Sequence, residues 1–122
     1  MKLKLYKDEY MVLKLKEPLA TKIDGIYFYA QTDDEYSLVC KVKIDINHIS
    51  NFEKEYRLIK IEGILDFGLV GIISKISTIL AQNNISIFVI STYNTDYFMV
   101  KESALQKTIG LLKSNDYEVI SE

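Results

Sequence analysis

The sequence predicts an α+β protein of the ferredoxin-like βαββαβ plan, built as a tandem repeat with a degenerate first unit. Three observations predict it. Residues 57 to 120 alternate strand-like and helix-like patterns in the order β-α-β-β-α-β, which sets two helices on one face of an antiparallel sheet. Residues 1 to 56 repeat the strand order faintly, as strand, weak helix, hairpin and weak helix. The 122 residues are 48% hydrophobic and 26% charged, enough for one ordinary domain or two small units with a core. The expected division is a degenerate unit over 1–56 and a complete one over 57–122, with no linker between them.

Residues 2 to 6 and 10 to 15 each alternate apolar and polar side chains, so two strands with one buried face are expected. Pro18, the only proline, stops the second run and leaves room for a helical turn over 19–22. After Gly25, the aromatic and β-branched runs 26–31 and 36–42 flank Thr32-Asp33-Asp34-Glu35 and read as a hairpin. Residues 44–52 fit at most a short helix. Residues 56–62 alternate and end at Gly63, as a strand does.

The second half is more regular. Leu69, Ile72, Ile73, Ile76, Ile79 and Leu80 recur at helical spacing and form one apolar stripe. Asn83-Asn84 supplies a left-handed stop. Residues 85–92 are nearly all apolar, as in a strand covered on both faces, and 97–101 are its hairpin partner. Ser103 is the expected cap of a helix that buries Leu105, Ile109 and Leu112. Ser114-Asn115-Asp116 ends that helix, and 117–120 form the last strand.

Composition excludes several functions. The net charge of -2 offers no general attraction to phosphate backbones or anionic lipid, so neither nucleic acid nor membrane is an expected partner. No apolar run reaches the length of a membrane span, and the charged N-terminal residues lack a signal-peptide core. A single cysteine, Cys40, forbids an internal disulfide and fits a reducing cytoplasm. Cys40 lies in an apolar strand, where a core thiol is expected, and His48 stands alone, so no catalytic set emerges. No Cys/His set has metal-ligand spacing, and no cofactor is implied. Asp33-Asp34-Glu35 and Glu53-Lys54-Glu55 read as solvated turns. An RNA-recognition use of the same plan needs a basic aromatic surface; Tyr27, Phe28, Tyr29 and Phe88 are available, but the basic signature is missing.

Two stretches carry the candidate site. The first is Leu65-Asp66-Phe67-Gly68-Leu69-Val70-Gly71, a glycine turn opening a helix. Free amides at a helix N-terminus favour a carboxylate, and Gly68 and Gly71 let a ligand approach the backbone. Residue type alone serves equally for a turn in which Asp66 caps the helix. The second is Thr92-Tyr93-Asn94-Thr95-Asp96, which offers hydroxyls, an amide, an aromatic wall and a carboxylate. An amino-acid ligand needs a carboxylate for its ammonium, a role open to Asp66 or Asp96, and donors for its carboxylate. The same residues are also ordinary turn formers.

These stretches resemble ACT domains, and in particular bacterial tandem-ACT proteins related to the cytosolic arginine sensor of eukaryotic growth signalling. Gly63-Ile64-Leu65-Asp66-Phe67-Gly68-Leu69-Val70-Gly71 is similar to that group's Gly-Pro-Leu-Asp-Phe-Ser-Leu-Val-Gly. Ile90-Ser91-Thr92-Tyr93-Asn94-Thr95-Asp96-Tyr97 is similar to its Ile-Ser-Thr-Tyr-Asp-Thr-Asp-Tyr. The likeness is strong over 57–120 and weak over 1–56. Ile64, Gly68 and Asn94 depart from the pattern, where the group has proline, serine and an acidic residue. The resemblance implies an ACT fold and a non-catalytic regulatory protein. It also implies an amino acid or related metabolite held between ACT units, and a homodimer. A ligand-free interaction module of the same fold is the alternative.

Overall fold

The computed structural model describes residues 1–41, 49–62 and 71–122. The first strand, β1, runs unbroken over Lys2–Leu15, where the sequence suggested two strands. The intervening Lys7-Asp8-Glu9 contains no glycine or proline to break it. Partners also engage both ends: Lys2 to Leu5 pair in parallel with β7 (Glu118–Ser121), and Tyr10 to Leu15 pair antiparallel with β3 (Tyr36–Lys41). The chain divides into two compact units, one of Met1–Lys7 with Arg57–Glu122, the other of Asp8–Tyr56. The sequence placed the boundary at 56/57 with all of residues 1–56 in the first unit.

The larger unit holds the end of β4 (Ile49–Ile61), then α1 (Ile72–Ala81), β5 (Phe88–Ser91), β6 (Asp96–Lys101), α2 (Leu105–Ser114) and β7. That is the β-α-β-β-α-β order read from the sequence. Its strands lie in the order β5-β6-β4-β1, with β7 on β1. One core gathers Leu3 and Leu5 of β1, Ile59 and Ile61 of β4, and Phe98 and Val100 of β6 under Ile76, Leu80, Leu105 and Leu112 of the helices. The expected stripe of α1 is in it: Ile76 and Leu80 are fully buried, with Ile72, Ile73 and Ile79 packed at the margin. Each such side chain removed from water stabilises the unit by roughly 1.5–3 kcal/mol before entropy is counted.

The helix ends show which local signals act. Asn84 adopts φ 59, the left-handed stop expected at Asn83-Asn84, and the amide of Ile85 closes the turn on the Leu80 carbonyl at 3.0 Å. Asp116 stops α2 in the same way with φ 69. Ser103 does not cap α2. It sits inside a 3-10 turn, Glu102–Ala104, and Ala104 occupies the cap position without a side-chain hydrogen bond. The buried side of α2 carries Leu105, Thr108 and Leu112, while Ile109 is only half-buried.

The strand expected over 85–92 shortens to β5. Ile85 and Ile87 pack against the helical core before the chain enters the sheet, and β5 pairs only with β6. Its apolar character therefore does not mean cover on both faces: Val89 is 43% exposed.

The smaller unit contains the remainder of β1, then β2 (Phe28–Gln31), β3 and the start of β4. Its core is Leu13, Leu15, Ile23, Leu38 and Cys40, with Leu19 and Tyr29 against it. The helical turn expected over 19–22 is absent; the segment is irregular, and the Leu19 amide donates to the Tyr29 hydroxyl at 3.1 Å. β4 starts at Ile49, inside the stretch that fitted a short helix. Residues 50 to 55 are exposed on both faces, so no period-two signal marks them.

The two hairpins match at an interval of sixty residues. Phe28 opposes Val39 as Phe88 opposes Met99, and Gln31 opposes Tyr36 as Ser91 opposes Asp96. The second strands share one burial pattern, with the middle three residues buried.

Candidate functional site

The loop joining β5 to β6 is built by Thr92. Its amide and its hydroxyl both donate to the Thr95 carbonyl, at 2.9 and 2.8 Å. The Thr95 amide returns a longer bond to the Thr92 hydroxyl at 3.4 Å. Thr32 makes the same set in the other hairpin: its amide donates to the Glu35 carbonyl at 3.0 Å, and its hydroxyl receives the Glu35 amide at 3.1 Å. The shared threonine thus makes the turn. The residues between differ, Asp33-Asp34 in one and Tyr93-Asn94 in the other, and the Thr32 hydroxyl also donates to the Asp34 carboxylate at 2.8 Å.

Thr95 anchors the loop. It is 4% exposed, and its hydroxyl donates to the Ile61 carbonyl at 2.7 Å. That bond holds the loop beside the end of β4. Ile59 and Ile61 face the helical core, so alternation sends Lys60 and Glu62 to the opposite face. Tyr97 shares that face, because its neighbour Phe98 is in the core.

A pocket of about 370 Å³ opens there, lined by Lys60 and Tyr97 from the sheet, by Glu62 just past the end of β4, and by Thr92, Tyr93, Asn94 and Thr95 from the loop. All of these residues belong to the larger unit. Among the described residues Lys41 pairs with Asp8 at 3.1 Å and Arg57 with Glu102 at 3.0 Å, away from Lys60 and Glu62. Burial raises the Tyr6 phenol above its ordinary value, and the charges of Tyr97, Glu62 and Glu122 raise it further.

The structure thus brings Thr92, Tyr93, Asn94 and Thr95 to one pocket. Asp96 is not among its lining residues: it is in β6, opposite Ser91. Leu65, Asp66, Phe67, Gly68, Leu69 and Val70 lie outside the described residues, as does His48. Gly71 occupies the cap position of α1 with φ 81, and its carbonyl accepts the Lys75 amide at 2.8 Å. Lys60 and Glu62 were missed by sequence reasoning. Their signal was a charged pair at i and i+2 on a strand that otherwise enters the core.

The remaining candidates carry little chemistry. Cys40 is fully buried, and burial pushes its thiol up to about 11, which keeps it protonated and inert. Among the described residues no cluster of three His, Cys, Asp or Glu side chains is placed to hold a metal ion. Among the same residues no helix is long and apolar enough to cross a membrane. Tyr29, offered above for base stacking, packs against the core of the smaller unit.

Comparison with known proteins agrees with the fold. The ACT-domain family model matches residues 51–114, just over half of the chain. The crystal structure of protein Atu0741 from Agobacterium tumefaciens superposes with a TM-score of 0.89 at 28% identity, covering 99% of this chain and 92% of that one. The Vibrio cholerae protein VC0802, described as of unknown function and a possible transport protein, gives a TM-score of 0.68 at 20% identity over 93% and 88% of the two chains. Aspartate kinase from Clostridium acetobutylicum, an allosteric enzyme, gives 0.62 at 14% identity over 88% of this chain and 33% of the kinase. Comparison with curated protein sequences finds no match. The mostly antiparallel sheet, the βαββαβ order of the larger unit and the matched residues lead to one conclusion: this chain belongs to the ACT-domain family.

Proposed function

We propose that this protein is a non-catalytic sensor that binds an amino acid or a closely related metabolite and passes the bound state to a partner. ACT domains are generally regulatory and bind small molecules, often amino acids. The observation that carries the reading is the pocket beside Thr95. It presents an ammonium (Lys60, near the end of β4) and a carboxylate (Glu62, just past it), two residues apart and roughly 6–7 Å between Cα atoms in extended chain. A zwitterionic ligand needs those two groups: the lysine receives its carboxylate and the glutamate its ammonium. Thr92 to Thr95 close the side, with Tyr93 at the rim. The turn 65–71 remains part of the proposal as a second source of amide donors, on the sequence alone.

The matched hairpins support a tandem arrangement of two ACT units, the first without helices among its described residues, as in the bacterial relatives of the arginine sensor. A homodimer in the cytoplasm completes the proposal, and the lone buried Cys40 suits a reducing compartment. Binding would act by favouring one arrangement of units or subunits over another, since a ligand shifts an equilibrium only through differential affinity.

A thermal-shift screen against the twenty amino acids tests this reading. A saturating ligand at about 100 times its dissociation constant raises stability by about 2.7 kcal/mol. The alternative is a ligand-free interaction module. Its support is Tyr93, 82% exposed, near an edge strand with Val89 43% exposed. No shift with any amino acid, together with a Tyr93→Ala loss of self-association, favours that module.

A further inference from the structure

We infer that the smaller unit carries a second binding site of the same chemistry, a pocket in which Lys14 receives the carboxylate of an amino acid. The inference rests on the amino-acid reading and extends it to a separate site. A cavity of about 220 Å³ opens on this unit. Lys14 of β1 lines it, with Glu35 just before β3, Ser37 within β3, and Asn51, Phe52 and Glu53 of β4. All of these residues lie within Asp8–Tyr56.

The two pockets occupy the same place on their units. Leu13 and Leu15 are in the core of the smaller unit, so alternation sends Lys14 to the opposite face of the strand. Ile59 and Ile61 set Lys60 in the same way. Ser37 opposes Lys14 across the ladder of β1 and β3. Its neighbour Leu38 is in the core, as Phe98 beside Tyr97 is. Ser37 and Glu35 are the counterparts, sixty residues earlier, of Tyr97 and Thr95. Each unit thus sets a lysine, flanked by two core residues, beside the threonine-built turn of its own hairpin.

The lining supplies what a zwitterion needs. Lys14 is an exposed ammonium, and Glu35 and Glu53 bring carboxylates for the ammonium of the ligand. The Ser50 hydroxyl donates to the Asn51 side-chain carbonyl at 2.9 Å. That bond occupies the oxygen end of the amide, and the nitrogen end is a donor. Phe52 is 56% exposed and gives the carbon skeleton of the ligand an apolar wall.

Amide-resolved NMR titration of the full chain with each of the twenty amino acids separates the two sites. In Lys60→Ala, at least one amino acid at millimolar concentration is expected to shift the Ser37 and Asn51 amides saturably. Adding Lys14→Ala, at an exposed position, should weaken that binding about tenfold or more, and Lys14→Arg should retain most of it. Wild-type shifts confined to Thr92 to Thr95 overturn this inference and leave the first site standing. Shifts at Ser37 and Asn51 that keep their affinity in Lys14→Ala also overturn it. No shift at either set, with any of the twenty, overturns both this inference and the amino-acid reading.

Discussion

The hydroxyl of Thr95 donates to the carbonyl of Ile61 at 2.7 Å, across 34 residues of sequence, in a buried setting. One bond thereby fixes the β5–β6 loop against the end of the strand that carries Lys60 and Glu62. Thr95→Val keeps the shape and removes the donor, leaving the Ile61 carbonyl without it. The expected cost is about 1–3 kcal/mol in urea unfolding, with ligand affinity lowered as the loop loosens. Thr95→Ser should recover most of both. A valine variant of unchanged stability contradicts the anchor.

Gly71 and Gly110 make an opposed pair. Gly71 has φ 81 at the entry to α1, and an added Cβ meets nothing within 4 Å, so any cost is conformational. Gly71→Ala should destabilise by about 1–2 kcal/mol. Gly110 lies within α2, also with open space around it, and helical backbone suits alanine. Gly110→Ala should stabilise by about 0.5–1 kcal/mol. Chemical denaturation of both variants checks the signs; equal signs contradict the backbone assignment.

Cys40 sets a pH dependence. Its folded thiol is pushed up to about 11 from an ordinary 9.0, so the unfolded chain releases its proton first as pH rises. The folded state then binds more protons than the unfolded state, and stability falls with rising pH across that window. The raised phenols of Tyr6 and Tyr117 act in the same direction. Thermal stability should fall from about pH 9 upward. Cys40→Val should flatten part of that decline, and a thiol reagent should label the wild type only on unfolding. Rapid labelling of the folded protein at pH 8 contradicts the burial.

Much of this was legible locally. The stripe of α1 is a 3.6-residue period that only a helix satisfies, and Asn84 tolerates the left-handed turn that ends it. The Thr92 loop was legible as a turn because threonine and asparagine compete with regular backbone bonding. Tertiary pairing decided the rest. β1 continues through Lys7-Asp8-Glu9 because strands meet it at both ends, and the early part of β4 has no buried face to announce it. Ser103 looked like a cap, but the chain begins turning at Glu102, whose carboxylate pairs with the Arg57 guanidinium at 3.0 Å. Lys60 and Glu62 read as ordinary exposed strand residues until the loop held by Thr95 came beside them.

The central claim is that Lys60 and Glu62 hold the two charged ends of one amino acid. The direct measurement is calorimetric titration of the tightest-binding of the twenty amino acids into the wild type, Lys60→Ala and Glu62→Gln, each first shown to unfold as the wild type does. The account predicts saturable wild-type binding and an affinity loss of about tenfold or more in either variant, since each leaves a ligand charge unpaired. Wild-type affinity in both variants contradicts it.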